Sequence, residues 1–305
     1  MMKVVESAGC PDVAQVFVLQ MRDEPWTRIE CVGALDPALG REDKMVFVVS
    51  SQLGCPVGCA MCDAGTWFAG TLTAGEIEAQ IRHLLASWGG SDAARCRKLK
   101  VQFARMGEPS LNPAVLDVIA RLPSILPTPH VIPCVATTAP RAAAAWFEDL
   151  LVLRRAFGPD SFQVQFSVQS TDEAARDRMM PVAKWTLEEI SGYAKRWVRG
   201  GDRKVTLNAA LAEGVAFDPE VLGRIFDPGT CVVKLTPLNP TARAGGNALR
   251  SAMETGNEPR IVELVERLES LGFRCIVSIG DPRETQMGTS CGQMARLGRR
   301  SLPMA

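Results

Sequence analysis

The chain has 305 residues, with 34 Lys plus Arg balanced by 34 Asp plus Glu, so its formal net charge is zero. That length buries a sizeable core, and the charge balance supplies no broad basic surface, which disfavours RNA or another large nucleic acid held chiefly through its phosphates. No stretch approaches the roughly 20 apolar residues of a membrane span, no apolar leader opens the chain, and three of the ten cysteines cluster while the rest are scattered, which points to a reducing cytoplasm and no membrane partner.

In chain order, residues 16–20 and 27–32 flank Asp23-Glu-Pro-Trp26 as a β-hairpin. Strands are expected at 45–50, 99–104, 131–136, 162–167, 204–209 and 232–236, with one more at 273–278. Their Val and Ile content and scarcity of charge suit strands buried on both faces. Helices fill the intervals. Thr73-Ala-Gly-Glu76, Ser170-Thr-Asp-Glu173 and Thr186-Leu-Glu-Glu189 each have the form of a capping box. Ile77, Ile81, Leu84, Leu85 and Trp88 follow the first at helical spacing. A late helix spans 259–271, and the glycines from 245 to 256 read as a flexible loop.

Six β-then-α units imply a parallel sheet with right-handed crossovers, short of a full eight-unit barrel. The expected fold is α/β: a partial (β/α)6 TIM-like barrel with a short N-terminal β-hairpin extension. The corresponding domains are an extension over 1–43, the barrel over 44–280 and a C-terminal segment over 281–305.

The chemistry concentrates in Gln52-Leu-Gly-Cys55-Pro-Val-Gly-Cys59-Ala-Met-Cys62-Asp. Three thiolates at this spacing wrap one cubane cluster from a single loop, and a cubane has four irons, so one iron keeps an open coordination position. Soft thiolates select iron–sulfur or zinc over hard cations. Structural zinc wants four ligands, and neither a fourth cysteine nor a histidine adjoins the loop; His83 and His130 are remote. Cys134, Cys231 and Cys275 read as core residues, Cys10 and Cys96 as exposed ones.

The loop is similar to the signature of the radical S-adenosylmethionine (SAM) superfamily. More closely, the chain resembles the radical SAM adenosine methyl synthases of ribosomal RNA, the RlmN/Cfr family. The matching pieces are Ser50-Ser-Gln-Leu-Gly-Cys55, Met106-Gly-Glu-Pro-Ser-Leu-Asn112, Ala136-Thr-Thr138, Ser167-Val-Gln-Ser170, Pro181, Pro237-Leu-Asn239-Pro and Ser290-Cys-Gly-Gln-Met294, in the family's order over about residues 14 to 297. The resemblance implies a [4Fe–4S] cluster on Cys55, Cys59 and Cys62, with SAM on its open iron. It implies a 5′-deoxyadenosyl radical made with an external electron donor such as flavodoxin or ferredoxin. It makes Cys291 the methyl-carrying cysteine and Glu30 the candidate for proton handling. Gly107 and Glu108 are expected to receive the SAM amino group; Thr137, Thr138, Ser167, Gln169 and Asn239 are expected to line the same site. The family usually has histidine where Gln169 stands. Independently of the resemblance, these residues fall at or just after the C-terminal ends of the expected strands, the face on which α/β barrels build their sites.

Two departures shape the functional expectation. The family carries a further cysteine seven residues before the first cluster ligand, where this chain has Val48. Cys31, beside Glu30, is the candidate substitute, with a small buried hydrophobe as the equal alternative. Family members also have about a further domain's worth of N-terminal residues that help hold RNA. The expectation is therefore a C-methyltransferase using Cys291 on a small-molecule or nucleoside-like acceptor, as in natural-product biosynthesis. The alternative is a radical SAM epimerase, or a rearranging or cyclising enzyme, with Cys291 as hydrogen-atom donor. A non-enzymatic binder that kept the fold is the third reading.

Overall fold

The computed structural model describes residues 2–36, 39–126, 128, 130–253, 258–279 and 294–295. Cys291 and the segment 281–305, apart from Met294 and Ala295, lie outside the described residues.

The parallel strands form where the Val- and Ile-rich runs place them: β4 (Met45–Val49), β7 (Leu99–Phe103), β8 (Val131–Thr137), β9 (Gln163–Ser167), β10 (Val205–Leu211), β11 (Cys231–Pro237) and β12 (Arg274–Val277). Three antiparallel strands precede them, β1 (Lys3–Cys10), β2 (Ala14–Gln20) and β3 (Arg28–Leu35). All ten make one sheet in the order β1-β2-β3-β4-β7-β8-β9-β10-β11-β12. The fold is thus α/β with a mostly parallel central sheet. The expected hairpin is β2 and β3, but it does not stand alone: β1 extends it on one side, and β3 pairs with β4 on the other, Val32 opposite Val48. A small separate pair, β5 (Gln52–Gly54) and β6 (Phe68–Thr71), brackets the cysteine loop.

Helices α1 (Ala74–Leu84), α2 (Asp92–Arg95), α3 (Ala114–Ile125), α4 (Ala144–Leu153), α5 (Glu173–Met179), α6 (Leu187–Trp197), α7 (Pro219–Ile225), α8 (Ala242–Gly246) and α9 (Glu258–Ser270) follow the strands. The boxes at Thr73–Glu76 and Thr186–Glu189 both form, each with reciprocal side-chain and backbone bonds. The third does not. Asp172 caps α5 by accepting from the Ala175 N–H, while the Ser170 hydroxyl donates to Ala216 O and accepts from the Asp172 N–H. Nor is the stretch from Gly245 simply a flexible loop: α8 runs into it, and Ser251 bridges to Ala212.

Alternation along each strand divides the sheet. Met45, Phe47, Val49, Leu99, Val101 and Phe103 are fully buried in the main core, where helices cover them. The centre of that core is aromatic: Phe147 packs against Trp146, Phe166, Trp185 and Tyr193 at centroid distances of 5.4, 5.9, 4.4 and 5.5 Å. Cys31 joins the main core, on the opposite face of β3 from Glu30 and Val32, and burial pushes its thiol well above the ordinary cysteine value. It therefore does not stand in for the missing thiol at Val48. Cys96 is also buried rather than exposed, its Sγ donating to Lys98 O at 3.2 Å.

Because Phe147 joins four aromatic neighbours, Phe147→Ala should destabilise the fold by about 3–5 kcal/mol. Chemical denaturation followed by circular dichroism measures this.

Candidate active site

Parallel strands share one C-terminal rim, and buried polar residues tie its loops together. The Ser50 hydroxyl donates to Glu30 O (2.6 Å) and accepts from the Met106 N–H (3.1 Å). Gln80 on α1 meets both backbone groups of Ser50, at 2.8 and 3.0 Å. Gln52 Oε1 accepts from the Glu108 N–H (2.8 Å), and the Asn112 amide donates to Ser51 O and Leu72 O (2.7 and 2.8 Å). Gly107 threads through this web with φ +98°, where an added Cβ would stand 2.6 Å from Gln52 Cβ. Only glycine fits that position.

Glu108 is the hub of the rim. Its buried carboxylate accepts from Ser110 N and Oγ, from Thr137 Oγ1 at 2.6 Å, and from Thr138 N and Oγ1 at 2.8 and 2.9 Å. Glu108, Thr137 and Thr138 therefore form one network in which protein donors already occupy the carboxylate. Ser167, half-buried, closes β9 opposite Asn208. Gln169 sits nearby in the left-handed region (φ +63°), with its Oε1 accepting from the Ala210 N–H at 2.8 Å. Asn239 is exposed on the rim after β11, beside a cleft of about 640 Å³ lined by Pro237, Thr241 and Ser251 among others.

The cysteine loop follows β5. Its chain turns at Gly58 (φ +68°), and Cys62 N–H donates to Cys59 O. None of the three is in a disulfide, and all are half-buried. Desolvation pushes Cys55 up to about 12 and Cys59 well above the usual value, and each is raised further by the Cys62 charge and by Glu108. That the Glu108 charge acts on Cys55 and Cys59 marks the loop and the carboxylate hub as neighbours. Among the described residues no three His, Cys, Asp or Glu groups converge tightly enough to hold a single metal ion. The donor set itself, three soft thiols from one loop, none of them in a disulfide, fits a thiolate-ligated cluster. His83 and His130 are not part of it: the His83 ring packs edge-on against Phe17 at 4.6 Å, and His130 is exposed with its N–H on Thr128 Oγ1.

A clamp invisible to motif reading holds the loop from across the chain. Arg243 donates to Gly65 O (2.7 Å) and Gly58 O (2.9 Å), Thr241 to Met61 O (2.8 Å), and Asn247 to Ala60 O (2.7 Å). In return Asp63, 2 % exposed, accepts from the Ala242 and Arg243 N–H groups at the start of α8. The available signal was polar residues just past both motifs, Asp63 after Cys62 and Thr241, Arg243 and Asn247 after Asn239. Trp67 joins from the other side, its carbonyl accepting from the Cys55 N–H, whereas Phe68 is 48 % exposed.

Glu30 lies fully buried on β3. Arg105 Nε and Nη2 hold its Oε2 at 2.8 and 2.7 Å, and the Ala295 N–H donates to Oε1 at 2.8 Å. Met294 is buried beside Val16, Val18 and Val32, with Val48 against the same cluster. The candidate proton-handling residue is thus the docking point for the two described residues of the C-terminal segment.

Removing the clamp should loosen the loop before the core. Arg243→Met is expected to cost roughly 2 kcal/mol of stability, with a larger proportional loss of iron and sulfide per chain after anaerobic reconstitution, measured colorimetrically. Gly107→Ala should be worse for the rim, combining left-handed strain with a Cβ clash, and should lower the melting temperature by several degrees.

No family model matches the chain. It is 27 % identical over 273 residues to a probable dual-specificity RNA methyltransferase RlmN of Salinispora tropica, covering 84 % of this chain and 68 % of that protein. It is 28 % identical over 290 residues to the protein of the same name from Parafrankia sp., covering 90 % and 72 %. Its fold is similar to the crystal structure of a radical SAM methyltransferase from Sphaerobacter thermophilus, with a TM-score of 0.71 at 22 % identity over 96 % of this chain and 80 % of that one. Over most of its length the chain is thus similar in sequence to proteins named RlmN, and similar in fold to a radical SAM methyltransferase.

Proposed function

We propose that the protein is a radical SAM methyltransferase that uses Cys291 as methyl carrier and acts on a small-molecule or nucleoside-like acceptor. Its cofactors are a [4Fe–4S] cluster and SAM. The observation that carries the reading is the union of the three loop thiols with the Glu108 hub on one rim. When bound, the cluster supplies the electron that cleaves SAM, and SAM supplies the methyl carbon.

In this reading Cys55, Cys59 and Cys62 hold the cluster, and Arg243 and Asp63 keep the loop in shape around it. Gly107 and Glu108 would receive the SAM ammonium. Thr137, Thr138, Ser167, Gln169 and Asn239 line the rest of the rim. The finer architecture is a partial (β/α)6 barrel over 44–280, with 1–43 as an extension of its sheet and 281–305 as the carrier segment. Two residues separate Cys291 from Met294, a reach of at most about 11 Å over three Cα steps, so docking of Ala295 on Glu30 limits how far the carrier can lie from β3 and β4. Glu30 then positions the segment, with Arg105 balancing its charge. Zero net charge supports a small acceptor over the RNA that the relatives' names specify.

Val48 favours a second reading. It is apolar, paired to Val32 and Gln102, and packed toward Met294, so this position itself offers no thiol to join Cys291 in a disulfide. Cys291 as hydrogen-atom donor needs no such partner.

Anaerobic incubation of the reconstituted enzyme with SAM and dithionite should yield 5′-deoxyadenosine, and Cys55→Ala should reduce that to background. Mass spectrometry of protein isolated with SAM available should find a methyl or methylene on Cys291. An unmodified Cys291 alongside 5′-deoxyadenosine formation selects the hydrogen-donor reading. Glu30→Gln, which keeps an acceptor for Ala295 but unbalances Arg105, should lower Cys291 modification severalfold with 5′-deoxyadenosine formation retained.

A further inference from the structure

The cysteine loop takes its positive charge from elsewhere in the chain. Residues 45 to 81 contain no Lys, Arg or His. Within that stretch lie the three thiols and Asp63, which directly follows Cys62 and is buried. Among the described residues the cation bonded to the loop is Arg243, the second residue of α8. Its Nη2 donates to Gly58 O at 2.9 Å and its Nη1 to Gly65 O at 2.7 Å, and these two carbonyls bracket Cys59 and Cys62 in sequence. Nη2 lies so close to the turn that a Cβ on Gly58 would stand 3.7 Å from it. Carbonyls receive the guanidinium, and among the described residues Arg243 makes no ion pair. The Asp63 carboxylate accepts instead from the backbone N–H groups of Ala242 and Arg243.

Two features exceed what a mechanical clamp needs. Asn247 and Thr241 hold Ala60 O and Met61 O with neutral donors at 2.7 and 2.8 Å, so shaping the loop does not call for a charge. The Arg243 Nε is buried and has no hydrogen-bond partner among the described residues. A buried donor left unpaired is costly, and a soft anionic acceptor beside the loop, thiolate or sulfide, is the kind of group that relieves it. A cluster held by three thiolates is anionic, and taking up an electron adds one more negative charge. A fixed cation alongside favours the reduced form, and fixed carboxylates oppose it. Asp63 stands on the opposing side, as does Glu108, whose charge acts on Cys55 and Cys59.

We propose that Arg243 is a redox-tuning residue: its guanidinium, seated on the Gly58 and Gly65 carbonyls, raises the reduction potential of the cluster held by Cys55, Cys59 and Cys62, and Asp63 opposes it. The proposal rests on the cluster reading above and names the residue that sets how readily the cluster is reduced. The step is a one-electron uptake from the external donor, which is oxidised as the cluster is reduced, with no bond made or broken in the protein.

The test is an anaerobic redox titration of the reconstituted enzyme, read by electron paramagnetic resonance of the reduced cluster. Arg243→Gln is expected to weaken electron uptake roughly tenfold, a fall of about 59 mV for one electron, and Arg243→Lys to restore most of it. Asn247→Ala, which removes a clamp bond and no charge, should leave the potential where it is. Asp63→Asn should raise the potential, and keeps the test open if Arg243→Gln holds no cluster. An unchanged potential in Arg243→Gln overturns the proposal, as does no rise in Asp63→Asn. An equal fall in Asn247→Ala, or no recovery in Arg243→Lys, also overturns it, because loop shape rather than charge then governs the potential. Only chains that hold a cluster contribute to the signal, so partial loading leaves the potential readable. No reduced-cluster signal in the wild type would remove the cluster reading itself, whereas a normal signal with an immovable potential removes only the role of Arg243.

Discussion

A buried carboxylate governs the geometry of the rim. Glu108 sits where β7 ends, and its oxygens collect donors from its own turn and from the end of β8. A charge placed there without donors would cost several kcal/mol. With five donors it becomes a rigid joint between neighbouring strands, and Gly107 must approach Gln52 with no side chain for that joint to form. The position of the cysteine loop follows, because Gln52 both opens β5 and holds the Glu108 N–H.

The rim is built from polar networks, whereas the body of the protein is built from apolar packing. The aromatic group around Phe147 and the aliphatic rows of β4 and β7 supply stability without demanding one orientation. The hydrogen-bonded webs around Ser50, Glu108 and Asp63 supply orientation, since each is satisfied in only one arrangement. Glu30 extends the same logic to the antiparallel side, where a fully buried ion pair with Arg105 meets the backbone of Ala295.

The strands and two of the helix caps were legible because they depend on local signals: alternation, β-branched content, and a Thr three residues before its Glu. What escaped the sequence depends on partners elsewhere in the chain. β1 is an edge strand whose Val4 and Val5 are exposed at 51 and 41 %, so no hydrophobic alternation marks it. Ser170 has the right spacing for a cap, yet Ala216 claims its hydroxyl and leaves the cap to Asp172. The thiol ligands, Gly107, Glu108 and the threonines stand out as motifs, but Arg243 and Asp63 gain meaning only once the fold brings them together. Cys96 shows the reverse error, and for Cys31 the fold decides between two readings left open, because a cysteine's burial is decided by packing that its neighbours in sequence do not reveal.

The clamp on the cysteine loop has a temporal side. Its bonds join residues 178 to 187 positions apart. At about 5–20 residues per second, synthesis leaves roughly ten to forty seconds between the emergence of the thiols and that of Arg243. During that interval the loop lacks the groups that shape it, and its cysteines stand open to oxidation or to stray metal. The clamped shape of the loop is therefore a late event in the life of the chain, reached only after residues of its last third have closed on those of its first.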